Sequence, residues 1–277
     1  MIRETAPAKV NLVLHVGARR SDGRHELCSL FASLDLADGV EVQPAAADAI
    51  VCPGVDGPNL VQAAIDAFRQ AAPPAELPPL RVVVDKRIPV AAGLGGGSAD
   101  AAAVLRAANV IAGSALPDGE LRAIGARIGA DVPSQVEPRH ALVTGAGERV
   151  EPVDLPDMAL VLVPSAEGLS TGEVYAEADR IPSTRARLDP DALRAVAGAP
   201  LAALARVMEN DLEAAALSLR PELARTLAAL RETGALAALI SGSGPTAFGV
   251  FATLPEAETA AEEIPDGFAT GLRDPPR

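Results

Sequence analysis

The stretch Pro89-Val-Ala-Ala-Gly93-Leu-Gly95-Gly96-Gly97-Ser98-Ala99-Asp100 constrains this chain more than any other. Four of the five residues at 93–97 are glycine, which clears side-chain bulk from a turn where the backbone could meet a ligand. The run Leu80–Asp85 before it is apolar and β-branched and reads as a strand. Ala101–Ile111 after it has apolar residues at helical spacing, with Gly113 as a C-terminal stop. Strand, glycine turn, helix is therefore the expected element. Ser98 is placed to cap the helix, and the free amides at its positive end suit a phosphate. Two other phosphate motifs are absent. No lysine follows the glycines as in Gly-x-x-x-x-Gly-Lys-Ser/Thr, and Ser98 stands where the dinucleotide fingerprint needs its third glycine. On the residues alone, a glycine-rich hairpin or tight helix start with no ligand stays open.

The chain has 277 residues, room for one large or two modest domains. Aromatics make up only 2% and tryptophan is absent, so the core must be built from Ala, Val, Leu and Ile. A net charge of −13 disfavours nucleic acid or an anionic membrane as partner. A phosphorylated ligand would need a local basic site. No apolar run approaches the roughly 18 residues of a membrane span, and Met1–Pro7 lacks a signal-peptide core. Cys28 and Cys52 are expected as free thiols, and three scattered histidines offer no zinc spacing. A cytoplasmic protein with no metal ligands of its own is the expectation.

Residues 8–16 read as a first strand, with Val10, Leu12, Leu14 and Val16 on one face and Lys9, Asn11, Val13 and His15 on the other. Lys9 and Asn11 project together: a solvated face, or a site. Three arginines crowd the turn Arg19-Arg-Ser-Asp-Gly-Arg24-His25, either solvated or able to hold a phosphate or polar ring. Asp38-Gly39 signals a hairpin between Leu27–Leu36 and Val40–Gln43. Asn59 caps a helix carrying Val61, Ala64, Ile65 and Phe68, which the proline-rich segment 73–79 ends. Leu121, Ile124 and Ile128 mark a helix stopping near Gly129. Pro133 then biases Val132 to an extended conformation and leaves Asp131 at a sharp exit, as a turn residue or a catalytic carboxylate.

A hairpin around Thr144–Gly147 follows, with a domain boundary at 152–157. The second half reads as a strand at 158–163, a short helix capped by Thr171 and carrying Tyr175, and helices at 189–197, 200–218 and 221–233. Strands at 235–240 and 246–251 flank Ser241-Gly-Ser-Gly-Pro245, and Pro255 opens a helix before a strand at 268–273. This is an α+β order with a mostly antiparallel sheet.

Four motifs in this order carry a resemblance: Pro7-Ala-Lys9-Val-Asn11-Leu, Gly93-Leu-Gly-Gly-Gly-Ser98, Gly129-Ala-Asp131-Val-Pro133 and Ser241-Gly-Ser-Gly-Pro-Thr246. Together they resemble the GHMP kinase superfamily, and within it the branch that phosphorylates a cytidine-bearing sugar alcohol. The resemblance spans about residues 6–251. It implies a ribosomal-protein-S5-like, ATP-binding domain over 1–153 and a ferredoxin-like domain over 154–277, with the active site between them.

It implies ATP as phosphoryl donor, with Mg²⁺ on the triphosphate, bound by Pro89, Val90, Ala91, Ala92, Gly93, Leu94, Gly95, Gly96, Gly97, Ser98 and Ala99. Matching positions make Asp131 the base for the acceptor hydroxyl and Lys9 its neighbour, a cation that keeps the carboxylate ionised. Asn11 orients substrate, and Gly242, Ser243 and Gly244 close over it. His25 matches a position that contacts cytosine, and Tyr175 a region that stacks on it. Arg24 stands where the family usually has tyrosine, and could stack by its guanidinium plane. Ala99 replaces a common second serine, and Ser134-Gln135 replace residues that are often apolar or aromatic. Two alternatives stay open, a homoserine- or mevalonate-type kinase and a nucleotide-binding protein without catalysis. Monomer and homodimer are equally allowed.

Overall fold

A computed structural model describes residues 1–55, 59–71, 77–113, 116–165, 167–181 and 183–273. The proline-rich segment 73–79 lies mostly outside these.

The first sheet is built on one long hairpin, β1 (Ile2–Arg19) paired antiparallel with β2 (His25–Pro44). The short strand β3 (Ala49–Val51) and helix α1 (Leu60–Ala71) follow, then β4 (Leu80–Asp85), helices α2 (Gly96–Ala112), α3 (Asp118–Gly125) and α4 (Val132–Val136), and strands β5 (Ala141–Gly145) and β6 (Arg149–Pro152). Their order is β3-β4-β2-β5-β6, with β1 on the other edge of β2. One end of β2 pairs with β4 (Gly39–Pro44) and the other with β5 (Leu27–Phe31). α1 and α2 cover one face through Val61, Ile65, Phe68, Val104 and Leu105, all fully buried. Asn59 Oδ1 accepts from the Val61 amide at 2.9 Å, the expected cap.

The second half runs β7 (Ala159–Val163), helices α5 (Thr171–Arg180), α6 (Pro190–Ala197), α7 (Leu201–Ala205), α8 (Glu213–Leu219) and α9 (Leu223–Glu232), strands β8 (Ala237–Ile240) and β9 (Ala247–Phe251), helix α10 (Leu254–Glu262) and β10 (Phe268–Gly271). Its strands order β10-β7-β9-β8 with every neighbour antiparallel, or 4-1-3-2 in chain order. That is the split β-α-β arrangement of a ferredoxin-like sheet. Val10, Leu12 and Leu30 of the first sheet share one core with Leu160, Leu162 and Phe248 of the second. Among the described residues no helix is long and apolar enough to cross a membrane.

Several local expectations are corrected. Asp38-Gly39 makes no hairpin, because β2 runs straight through it. Asp38 turns inward, 1% exposed, and its Oδ1 accepts from the Arg87 and Ile88 amides at 2.6 and 2.8 Å, so its turn-forming carboxylate is already engaged. Ser98 does not cap α2; Gly95 is the capping residue and Ser98 sits inside the first turn. Pro133 opens α4 instead of extending Val132, since a proline in a first helical turn lacks only an amide that would be unpaired there. α3 stops at Gly125, leaving Ile128 in the following turns, and Ser170, not Thr171, caps α5. The expected helix at 200–218 divides into α7 and α8 around Asn210.

Candidate active site

The glycine turn 93–97 leads from β4 into α2, and the amides of Gly96, Gly97 and Ser98 occupy its first turn, where no helical carbonyl can accept from them. Those three residues line a cavity of about 490 Å³. Two of the glycines have a further reason to be glycine. A methyl group at Gly93 (φ +77°) would sit 2.5 Å from the Gly244 carbonyl oxygen, and one at Gly95 (φ +73°) would sit 3.0 Å from Lys9 Cγ. The turn is thus pressed between the second glycine loop and the lysine stem. Two main-chain bonds and one serine hydroxyl tie it there: Lys9 N donates to Leu94 O (2.9 Å), Thr246 N to Ala92 O (3.2 Å), and Ser241 Oγ to Gly93 O (3.1 Å). Ala99 faces away from the cavity; it is 1% exposed in the core and its amide bonds Gly95 O at 2.9 Å, so it offers nothing to a phosphate.

Lys9 and Asn11 sit in a strand whose regular alternation would put Val13 beside them. Register shifts on both sides, at Pro7/Lys9 and Asn11/Val13, isolate the pair and return Val13 to the core with Val10 and Leu12. Lys9 is 4% exposed. Its Nζ lies 3.2 Å from Asp131 Oδ2, donates to Asn11 Oδ1 at 2.7 Å, and stands 4.6 Å from the centre of the Phe31 ring. Asn11 donates on to Ser29 Oγ at 2.9 Å, which fixes its amide orientation. Asp131 precedes α4, and its side chain remains one-third exposed to the cavity. Gly242 closes the far side: a methyl group there would lie 3.1 Å from Asn11 Oδ1 and 3.7 Å from Lys9 Nζ. The expected residues Lys9, Asn11, Asp131, Pro89–Ser98, Tyr175, Gly242 and Ser243 all line this one cavity. Gly244 contributes through its contact with Gly93.

Arg24 and His25 line an adjoining cavity of about 450 Å³, and Tyr175 borders both. The His25 and Tyr175 rings stack at 5.3 Å and 28°. Burial, reinforced by the Asp131 charge, raises the Tyr175 hydroxyl above its ordinary pKa, so it stays neutral. Arg24 does not stack; its guanidinium turns back on Asp22 at 3.2 Å. Arg20 bonds Glu148, in the turn between β5 and β6, at 3.0 Å, so two of the three arginines are paired with carboxylates.

The residue reading missed a buried triad beside the glycine turn. Lys86 Nζ contacts Asp38 Oδ2 at 2.5 Å and Asp100 Oδ2 at 2.9 Å, and both Lys86 and Asp100 line the same cavity as the glycine turn. Burial pushes the Asp100 carboxyl up to about 7, Lys86 opposes the shift, and the Asp38 charge adds to it. Lys86 itself is held above its ordinary value by the two carboxylates in spite of its burial. A lysine ending a strand just before the loop was the only available signal.

This combination of two sheets, a glycine turn at a helix start and a lysine–aspartate pair facing it defines a GHMP kinase. Residues 59–137 match the GHMP kinases N-terminal domain and residues 192–270 the GHMP kinases C-terminal domain. A 4-diphosphocytidyl-2-C-methyl-D-erythritol kinase of Rhizobium johnstonii is 40% identical over 278 residues, 95% of this chain and 88% of the relative. One from Nocardia farcinica is 46% identical over 253 residues, 87% and 82% of the two chains. The crystal structure of a 4-(cytidine 5'-diphospho)-2C-methyl-D-erythritol kinase superposes with a TM-score of 0.80 at 35% identity, covering 99% of this chain and 100% of its own. The chain belongs to the 4-diphosphocytidyl-2-C-methyl-D-erythritol kinase family of ATP-dependent small-molecule kinases.

Proposed function

We propose that this kinase transfers the γ-phosphoryl group of ATP to the 2-hydroxyl of 4-diphosphocytidyl-2-C-methyl-D-erythritol, in the non-mevalonate route to isoprenoid precursors. The observation that carries the reading is the 3.2 Å Lys9–Asp131 contact opposite the amides of the glycine turn. Asp131 takes the hydroxyl proton as the oxygen attacks phosphorus. Lys9 keeps that carboxylate ionised and, with Asn11 and Asp131 taking two of its hydrogens, has a third for a phosphoryl oxygen. The amides of Gly96, Gly97 and Ser98 balance charge on the phosphates. Asn11, Gly242 and Ser243 hold the acceptor, and the His25–Tyr175 side holds the base.

Among the described residues, no group of three His, Cys, Asp or Glu side chains is spaced to hold an ion. Mg²⁺ fits here as a passenger of the triphosphate. The Ser98 hydroxyl, facing the turn at Gly129, would offer it a hard oxygen ligand. When bound it neutralises charge on the phosphate oxygens. The reading divides the chain at 153/154, where the last strand of the first sheet gives way to the first of the second. The cytoplasm, with its ATP pool, is the proposed setting of the reaction.

The homoserine- and mevalonate-type alternatives lack comparable support, since the close relatives are kinases of the cytidyl branch over most of the chain. A non-catalytic nucleotide binder would need neither Lys9 nor Asp131. ³¹P NMR of ATP mixed with the enzyme and, in turn, the diphosphocytidyl alcohol, homoserine and mevalonate tests the reading. A new phosphomonoester signal is expected with the first alone; its appearance only with another acceptor would overturn it.

A further inference from the structure

We infer that Phe31 is a positioning residue for the phosphoryl transfer, its ring face holding the Lys9 ammonium ready for the incoming phosphoryl oxygen. The inference rests on the role proposed above for Lys9. It starts from an imbalance at that ammonium. Lys9 is buried, so water does not compensate its charge. Asn11 Oδ1 and Asp131 Oδ2 account for two of its three hydrogens. Among the described residues no further oxygen accepts from Nζ, and what completes its surroundings is the Phe31 ring, with Nζ 4.6 Å from the ring centre. A phenyl face carries negative charge density and attracts an ammonium within about 6 Å.

The fold fixes that ring. Phe31 stands directly across from Asn11 in the β1–β2 pairing and from Ala141 in the β2–β5 pairing. It is 5% exposed, packs with Ala141 and Val143, and lines the same cavity as Lys9 and the glycine turn. Two residues earlier on β2, Ser29 accepts from the Asn11 amide. One strand thus serves the ammonium twice, through the oxygen partner that Ser29 orients and through the ring. An aromatic face suits this place better than another oxygen. An oxygen would compete with the phosphoryl group for the third hydrogen, whereas a ring attracts the charge and leaves that hydrogen to be taken. A leucine would fill the space and offer the ammonium nothing.

Fluorination withdraws electron density from the ring face at nearly constant size. Amber suppression at position 31 with mono-, di- and trifluorophenylalanine should lower kcat stepwise, by roughly 3- to 30-fold across the series, while ATP affinity and melting temperature hold. The 4-methylphenylalanine ring is bulkier but electron-rich, and should lose less activity than the trifluoro ring. A flat fluorine series, or a greater loss with the methyl ring, would overturn the inference, because packing alone would then govern the site. A second readout does not depend on turnover. Only two of the 24 lysine and arginine residues are lysine, Lys9 and Lys86, so protein carrying ¹³Cε-lysine gives two methylene signals. The signal that vanishes in Lys9→Met should lie upfield through the ring current and move downfield in Phe31→Leu. The same position in both proteins would refute the contact. Full turnover in Lys9→Met would overturn the proposed role of Lys9, whereas a flat series beside an inactive Lys9→Met overturns Phe31 alone.

Discussion

Lys9 meets four groups at once: Asp131 and Asn11 at its ammonium, the Phe31 ring beneath it, and the Gly95 backbone against its stem. A buried ammonium persists only with such partners. Its presence therefore argues for a site where charge must be managed. Asp131→Asn keeps the shape but cannot take a proton, so turnover should fall by roughly 10²–10⁴ with ATP binding retained. Steady-state kinetics beside nucleotide titration would show it, and unchanged turnover would remove the base. Both residues were legible in the sequence, the lysine as a polar residue in an apolar strand and the aspartate through its motif. The approach of Asp179 to His25 was not, because an aspartate on an amphipathic helix looks the same whether it faces water or a histidine brought there from a strand 154 positions away (179 − 25).

At the scale of elements, the glycine turn works by what presses on it. A methyl group at Gly93 collides with the Gly244 carbonyl and would occupy a backbone region that disfavours side chains. Gly93→Ala should therefore raise the KM for ATP and lower the melting temperature together, because the clash is with backbone of the second loop. A variant with unaltered nucleotide affinity and stability would show the loops to be independent. The triad joining β2, the end of β4 and α2 carries a pH signature. Asp100 titrates at about 7 when folded against 3.8 ordinarily, so between those values the folded chain holds more protons than the unfolded one. Stability from this group is therefore lost as pH rises across that window. Asp100→Asn leaves one carboxylate for Lys86 and should flatten that decline; melting curves from pH 4 to 8 would reveal it. Strand and helix periodicity exposed most of these elements. The failures came where a side chain had a distant partner: Asp38, a turn former by local chemistry, is instead bonded to backbone at Arg87 and Ile88.

Across the whole molecule, the site depends on two sheets that do not have separate interiors. Phe248 of the second sheet is fully buried in the core that holds Val10 and Leu12, and those two alternate along the strand with Lys9 and Asn11. Asn210 adds a polar tie. Its Nδ2 donates to the Ile240 and Gly242 carbonyls at 2.8 and 2.7 Å, while the backbone on either side bonds Leu14 of the first strand. The 241–245 loop is thereby anchored to the strand that supplies the ammonium, which explains why a break between α7 and α8 falls there. Units coupled through one core unfold together. Phe248→Ala should cost about 3–5 kcal/mol, the range for losing a buried phenyl ring, and lower one calorimetric transition without splitting it. Two separate transitions, with the first sheet untouched by a cavity in the second, would mean that Lys9 and the glycine loops are brought together by ligand and not by the fold.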